Sequence, residues 1–160
     1  IIPLIFSITT VLFGAIIYID GQFSDWIADS SIFYFEDNIS DTDGADLLNL
    51  SITNDENFLF IKIKLDREID LLDYYENPTD IIIQIDADNN FETGYPAGGI
   101  GSEYGIRCLD KFVYDDTNYP DNNIEPLSFV QFRALPTFTS DKLELPLVVI
   151  LLVNQFFKTQ

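Results

Sequence analysis

The sequence predicts an all-β fold, a two-sheet antiparallel β-sandwich or jelly roll. Three observations indicate this class: short segments in which apolar and polar residues alternate, turns rich in Asn, Asp and Gly between them, and no sustained helical period. Alternation places every second side chain on the same face of a strand. Besides the hairpin described below, the candidate strands are residues 16–19, 31–35, 81–86, 104–109, 112–114, 128–133 and 143–152.

The first 18 residues carry no charge and are mostly apolar, which is typical of the hydrophobic region of a signal peptide. An uncleaved membrane anchor is the alternative, because about 18 apolar residues approach the length of a membrane span. Either interpretation places residues 19–160 outside the cytoplasm, in the extracellular space or at the cell surface, as a single domain.

Two alternating segments around residues 54–57 predict a β-hairpin with one buried face. The four residues between them, Asn-Asp-Glu-Asn, are typical of a turn. Folding the chain about this turn sets apolar residues opposite each other, which specifies a register. The predicted partners are Ile52 with Leu59, Leu50 with Ile61, and Leu48 with Ile63.

The segment 143–152 ends in an uninterrupted apolar run, which is too short to cross a bilayer as a helix. A buried strand is the ordinary interpretation of such a run. The alternative is a truncated or frame-altered C-terminal end, whose apolar face would then lack its partner.

Composition excludes several classes of function. Lys and Arg number 8 against 27 Asp and Glu, and the formal net charge of -19 disfavours nucleic acid as a partner. The chain has no His, no Met and one Cys, so His-based catalytic triads and His or Cys zinc sites are excluded, as are the usual His and Met haem ligands. Cys108 has no disulfide partner and is predicted to be a small buried apolar residue.

Paired carboxylates do not identify a glycosidase here. Such an enzyme needs one carboxylic acid of raised pKa facing a second carboxylate across a cleft. With 27 acidic residues some pair is always available, and 160 residues are few for a hydrolase with a cleft. We therefore expect a protein that is not an enzyme.

Asp86, Asp88 and Asn90 follow an apolar strand candidate at alternating positions. They offer hard oxygen ligands on a tight loop, which is the donor set that calcium prefers. The loop is no EF-hand, because Phe91 stands where that motif needs Gly and Ala97 where it needs a bidentate Glu. The pattern predicts a calcium loop in a β-protein; a solvated acidic turn is the alternative.

A second acidic cluster, Asp37, Asp41, Asp43 and Asp46, surrounds Gly44. Carboxylates this close in sequence repel one another unless a cation or solvent separates them. The cluster is a second candidate cation site, and a solvated loop on an acidic surface is again the alternative.

The opening residues 19–26 (IDGQFSDW) resemble the start of bacterial extracellular β-sandwich modules, namely family 9 carbohydrate-binding modules and DOMON-like domains. The N-terminal modules of secreted endonuclease/exonuclease/phosphatase-type proteins are also similar, which implies an attached or partner extracellular enzyme domain. The resemblance continues through residues 44–46 (GAD), 53–60 (TNDENFLF), 85–89 (IDADN), 93–95 (TGY) and 100–104 (IGSEY).

This resemblance implies an immunoglobulin-like or jelly-roll sandwich with structural calcium. The missing His and Met contradict the haem-binding branch of the DOMON-like domains. After residue 107 the likeness ends, so the sugar-contacting aromatic residues of the relatives are not assigned to positions in this sequence. In the matched positions, Asp86, Asp88 and Asn90 correspond to the calcium loop, Glu103 is a candidate completing carboxylate, and Asp43 and Asp46 correspond to a second acidic loop of some relatives.

Tyrosines in predicted loops are the candidate ligand contacts, since loops carry most binding residues. Tyr74, Tyr75, Tyr95 and Tyr119 lie in such loops, and we predict ligand binding by Tyr95 and Tyr119. Trp26 is predicted to be core. The predicted function is an exported, calcium-stabilised, non-catalytic module that binds polysaccharide or cell-surface glycan. The alternative is a structural spacer or protein-docking module of a larger extracellular enzyme.

Overall fold

A computed structural model describes residues 15–27, 30–37, 44–70, 81–108, 112–120, 126–129 and 139–148. These residues form antiparallel strands and one short 3-10 turn, and the predicted all-β, sandwich-like class is confirmed. None of their helical segments is long and apolar enough to span a bilayer. The strands are β1 (Phe33–Glu36), β2 (Leu47–Asn54), β3 (Phe58–Asp70), β4 (Ile82–Ile85), β5 (Tyr95–Ala97), β6 (Ile100–Ser102), β7 (Tyr104–Arg107), β8 (Phe112–Asp115), β9 (Pro126–Phe129) and β10 (Thr139–Val148).

The chain groups into two compact units. Of the described residues, 15–70 and 139–148 belong to one unit, which we call the hairpin unit, and 81–129 belong to the other, which we call the loop unit. The hairpin unit holds a four-stranded sheet in the order β1-β2-β3-β10. The loop unit holds a four-stranded sheet in the order β4-β7-β8-β9 and the two-stranded pair β5-β6. The division into a leader of 18 residues and a single following domain stays a prediction.

The predicted hairpin is confirmed as β2 and β3, but the predicted register is wrong by two residues. Ile52 lies opposite Ile61 rather than Leu59, and Leu50 lies opposite Ile63. Apolar residues still face each other, because a shift of two keeps every side chain on its own face.

The turn chemistry explains the shift in register. Asp55 Oδ1 accepts hydrogen bonds from the backbone N–H groups of Asn57 and Phe58, both at 2.7 Å. The Asp55 N–H in turn donates to Phe58 O at 2.9 Å. These bonds close the turn more tightly than the predicted four-residue loop, since Asp55 and Phe58 already pair with each other.

Strand β10 supplies the third row of the core of the hairpin unit. It pairs with β3, and the predicted buried strand is confirmed for its described part. The strand begins at Thr139, earlier than predicted, and residues 149–152 lie outside the described part of the chain. Each apolar side chain that is fully buried contributes about 1.5–3 kcal/mol. The buried apolar residues of this sheet face are Ile52, Ile61, Ile63, Leu65, Leu143, Leu145 and Leu147.

The opposite face of the same sheet is covered too, whereas the sequence predicted only one buried face. Ile17, Trp26 and Phe60 form a buried apolar cluster there, confirming Trp26 as a core residue. Residues 15–19 have no regular secondary structure, so the predicted strand 16–19 is wrong. Glu144 on β10 explains their placement. Its carboxylate accepts hydrogen bonds from the N–H groups of Asp20 (2.9 Å) and Gly21 (2.7 Å) and from Trp26 Nε1 (2.9 Å).

The sheet of the loop unit carries its own core. Ile106 is wholly buried, and Tyr104 and Val113 are 1 % exposed. Cys108 is buried, as predicted. Strands 81–86, 104–109 and 112–114 are confirmed within a residue or two as β4, β7 and β8. The candidate 128–133 overlaps β9, and the candidate 31–35 overlaps β1.

Candidate cation site

Three acidic side chains come together at one end of the sheet in the loop unit. Asp86 follows β4, Asp88 lies in the next loop, and Glu103 immediately precedes β7. The antiparallel pairing of β4 with β7 brings the first and last of these together, because the Glu103 N–H donates to Ile85 O at 3.0 Å. One ligand oxygen from each of the three carboxylates lies within 4.8 Å of the other two.

Two of these carboxylates are buried and incompletely hydrogen-bonded. Asp86 is 7 % exposed and Glu103 is 6 % exposed. Within the described residues, Asp86 Oδ1 and Glu103 Oε1 are buried without a hydrogen-bond partner. The other Glu103 oxygen, Oε2, accepts a hydrogen bond from the Ala87 N–H at 2.8 Å. The site therefore presents two buried acceptor oxygens that receive no hydrogen bond from the described part of the chain.

Burial raises the pKa of Glu103 above its ordinary value, and the negative charges of Asp88 and Asp86 raise it further. The hydrogen bonds from Ala87 and Thr93 act in the opposite direction and are outweighed. A carboxyl in this position is held in an environment that disfavours its negative charge. A cation among the three residues would reverse that preference, because an opposite charge nearby favours the ionised form.

Local hydrogen bonds shape the loop that carries Asp88. Asp88 Oδ1 accepts from the Asn90 N–H at 2.9 Å, and Thr93 Oγ1 lies 3.1 Å from both Asp88 carboxylate oxygens. Asn89 adopts a left-handed conformation with φ of 58°, which Asn tolerates better than most residues. Asn90 is exposed, and its Oδ1 accepts a hydrogen bond from the Glu92 N–H at 3.1 Å. Asn90 thus lies on the predicted loop, with its side chain used in the turn.

Two glycines let this loop approach the β5–β6 hairpin. A Cβ on Gly101 would lie 2.0 Å from Thr93 O and 2.4 Å from Asn90 O. Gly94 has φ of 68°, and a Cβ there would lie 2.3 Å from Ser102 O. Contacts that short exclude any side chain at either position without displacement of the loop. This role of the glycines was not predicted from the sequence, although Gly94 and Gly101 lie in the segments 93–95 (TGY) and 100–104 (IGSEY) that carry the family resemblance.

The two tyrosines predicted as ligand contacts lie side by side in the loop unit. Tyr95 is 41 % exposed and Tyr119 is 43 % exposed. Their ring centroids are 5.1 Å apart with an interplanar angle of 84°, an edge-to-face arrangement. Tyr74 and Tyr75 lie outside the described residues.

The second predicted acidic site is only partly described. Asp46 is buried directly before β2, its Oδ1 accepts a hydrogen bond from the Leu47 N–H at 3.0 Å, and its own N–H donates to Asp66 Oδ1 at 2.9 Å. The neighbouring Arg67 guanidinium lowers the pKa of Asp66 to about 2, mainly through their hydrogen bonds. Asp43 and Asp41 lie outside the described part of the chain, so a cation site there stays a prediction.

Sequence reasoning also missed Asp116, which directly follows β8. It is 7 % exposed, and its N–H donates to Glu103 O at 2.8 Å. Burial, and next the charge of Asp115, raise the pKa of Asp116. No pattern in the sequence around residue 116 marked it as buried.

No known protein family, curated protein or solved structure matches this chain. The resemblance to carbohydrate-binding and DOMON-like modules therefore stays a prediction.

Proposed function

We propose that this chain is an exported, non-catalytic binding module stabilised by a calcium ion held between Asp86, Asp88 and Glu103. The observation that carries the proposal is the pair of buried carboxylate oxygens, Asp86 Oδ1 and Glu103 Oε1, for which the described residues supply no donor. Burying carboxylate oxygens without partners is costly, and a bound cation removes that cost.

The dimensions of the site suit calcium. Calcium binds oxygen ligands at about 2.3–2.6 Å, so two ligands of one ion lie at most about 5 Å apart. The three ligand oxygens here fall within 4.8 Å of one another. Three carboxylates carry enough negative charge to balance a divalent ion, and Asp88, which is exposed, leaves a side open to water ligands.

Thermal unfolding with calcium and with a chelator tests this function. A ligand that binds only the folded state at a hundred times its Kd adds about 2.7 kcal/mol to the unfolding free energy. For a chain of this size we expect a rise in Tm of about 5–10 °C. Glu103→Gln should abolish the rise, whereas Glu92→Gln, an exposed change on the same loop, should keep it. An identical Tm in calcium and in chelator would refute the proposal.

The Tyr95–Tyr119 pair supports a second candidate function, the binding of a neutral or cationic glycan. Exposed aromatic faces stack on sugar rings, and nearby Asp and Asn side chains bind hydroxyl groups. The two rings are nearly perpendicular, so the pair offers one ring face and one ring edge rather than a flat platform. Affinities in the micromolar to millimolar range, or about -8 to -4 kcal/mol, are expected of such a shallow site.

A glycan array or affinity electrophoresis with calcium present tests the second candidate. Retention should weaken in Tyr95→Ala and in Tyr119→Ala. Tyr34→Ala is the matched control, since Tyr34 is 63 % exposed but lies on β1 in the hairpin unit. Failure to bind neutral, acidic and amino-sugar polymers would instead favour a spacer or docking module. The exposed edge strand β1, with Phe33 and Phe35 on its surface, would be the first candidate contact of such a module.

A further inference from the structure

The candidate cation site stands where two short connections to the tyrosine pair begin. The first connection runs from Asp88 to Thr93, whose hydroxyl lies 3.1 Å from both carboxylate oxygens of Asp88. Thr93 is followed by Gly94 and Tyr95, and the close approach of Gly94 to Ser102 O leaves that backbone little freedom. The position of Tyr95 is thus tied to the position of Asp88.

The second connection runs through the backbone from Glu103 to Tyr119. The Asp116 N–H donates to Glu103 O at 2.8 Å, and the Tyr119 N–H donates to Asp116 O at 3.0 Å. Asp88 is therefore joined by one hydrogen bond to Thr93, two residues before Tyr95, and Glu103 is joined by two backbone hydrogen bonds to the backbone of Tyr119.

We propose that cation binding by Asp86, Asp88 and Glu103 orders the Tyr95–Tyr119 pair, so that calcium regulates the aromatic surface of this module. The inference rests on the calcium-binding function proposed above. Without a cation, the three carboxylates repel one another and the ends of both connections move apart. With a cation, both ends are held at one point, and the edge-to-face geometry at 5.1 Å becomes the dominant arrangement.

Coupling of this kind is reciprocal. A glycan that binds only the ordered ring pair must raise the calcium affinity by the same factor by which calcium raises the glycan affinity. For coupled sites in one domain that factor is typically about 5–150.

Fluorine NMR of the whole chain labelled with 3-fluorotyrosine tests the coupling with calcium as the probe. The chain has eight tyrosines, and the variants Tyr34→Phe, Tyr95→Phe and Tyr119→Phe assign the three resonances that the test uses. We expect both resonances to shift during a calcium titration and to complete half of the change at the Kd measured by calorimetry. The resonance of Tyr34, on β1 in the hairpin unit, should stay unchanged.

Thr93→Val, with Thr93→Ser as its matched control, tests the first connection. Val keeps the shape of the side chain but removes the hydroxyl near Asp88, whereas Ser keeps the hydroxyl. We expect Thr93→Val to suppress the calcium response of Tyr95 and Thr93→Ser to keep it. An undiminished Tyr95 response in Thr93→Val would overturn the first connection.

The possible results distinguish a failure of the coupling from a failure of calcium binding. Calcium binding by calorimetry with no response from either tyrosine would overturn the coupling and leave the cation site standing. A response of equal size from Tyr34 would also overturn it, because the effect would then be general. Failure of calcium to bind at all would overturn both proposals.

Discussion

Substitution of Glu144 is expected to lower the stability strongly, because this residue joins the N-terminal segment to the sheet of the hairpin unit. Its side chain is wholly buried and accepts hydrogen bonds from Asp20, Gly21 and Trp26. Glu144→Ala would leave two donors, the Gly21 N–H and Trp26 Nε1, buried and unpaired. An unpaired buried donor costs about 1–3 kcal/mol, so the two together cost about 2–6 kcal/mol. A domain of ordinary stability has about 5–15 kcal/mol in total.

Glu144→Gln is the matched control, since it keeps the shape of the side chain and one acceptor oxygen. We expect it to cost about half as much as Glu144→Ala. Urea unfolding checks both variants with two signals: far-UV circular dichroism for the sheets and fluorescence of Trp26, which is the only tryptophan. Loss of the Glu144 acceptor should shift the Trp26 emission to the red. A Glu144→Ala protein with unchanged midpoint and unchanged emission would refute the reasoning.

The same residue predicts a pH dependence. Burial raises the pKa of Glu144 above its ordinary 4.5, and the charge of Asp25 adds to the shift. Lys62, which lies 5.3 Å above the Trp26 ring, has its own pKa lowered by burial first and then by Lys142. A carboxyl with a raised pKa in the folded state contributes stability that is fully present below the unfolded value. That contribution is lost as pH rises through the folded value.

The Gln variant has no carboxyl at this position to titrate. The stability of the wild type relative to Glu144→Gln should therefore fall as pH rises above about 4.5. Urea unfolding at several pH values measures the free energy of unfolding of the wild type minus that of Glu144→Gln. A value that grows with pH would contradict a raised pKa of Glu144.

Three further predictions follow from particular contacts. Ile61→Asp should lower the free energy of unfolding by more than about 4 kcal/mol, since Ile61 is 1 % exposed. Lys62→Asp should lower it by about 1–3 kcal/mol, since it places a carboxylate near Glu144, and equal urea midpoints for the two variants would contradict this. Gly101→Ala should weaken calcium binding in a calorimetric titration because its Cβ would displace the loop, whereas Gly44→Ala meets nothing within 4 Å and should be neutral. Asp55→Ala should cost about 1 kcal/mol by losing two acceptor bonds in the turn, and an unchanged midpoint would show that these bonds do not matter.

The class of fold and the hairpin could be predicted because alternation is a local signal. Apolar residues on β2 and β3 recur every second position, so strand and face follow directly from the sequence. The register could not, because it depends on the side chain of Asp55 bonding two backbone amides in the turn. A shift by two residues leaves the apolar pattern equally satisfied, so the pattern alone cannot choose between registers.

The local sequence pattern could not predict that the second face of that sheet is covered. Glu144 occupies a polar position in an alternating strand, which ordinarily indicates exposure to solvent. Its burial depends on Trp26, which lies 118 residues earlier in the chain. Long-range contacts of this kind leave no periodicity to detect.

The candidate cation site was partly predictable. Asp86 and Asp88 could be predicted from the acidic loop that follows an apolar strand, whereas Glu103 was predicted only from the family resemblance. The pairing of β4 with β7 gives the physical reason that Glu103 completes the group. The burial of Asp86 and Glu103 comes from packing, and no feature of the sequence indicates it.

Calorimetric titration of calcium chloride into chelator-treated protein tests the central claim most directly. We expect one saturable binding event in the wild type, with Glu103→Gln and Asp86→Asn each removing a buried carboxylate and most of the heat. Glu92→Gln, an exposed change on the same loop, should leave the titration unaltered. Identical titrations of the wild type and Glu103→Gln, or no saturable heat from the wild type, would contradict a calcium site formed by Asp86, Asp88 and Glu103.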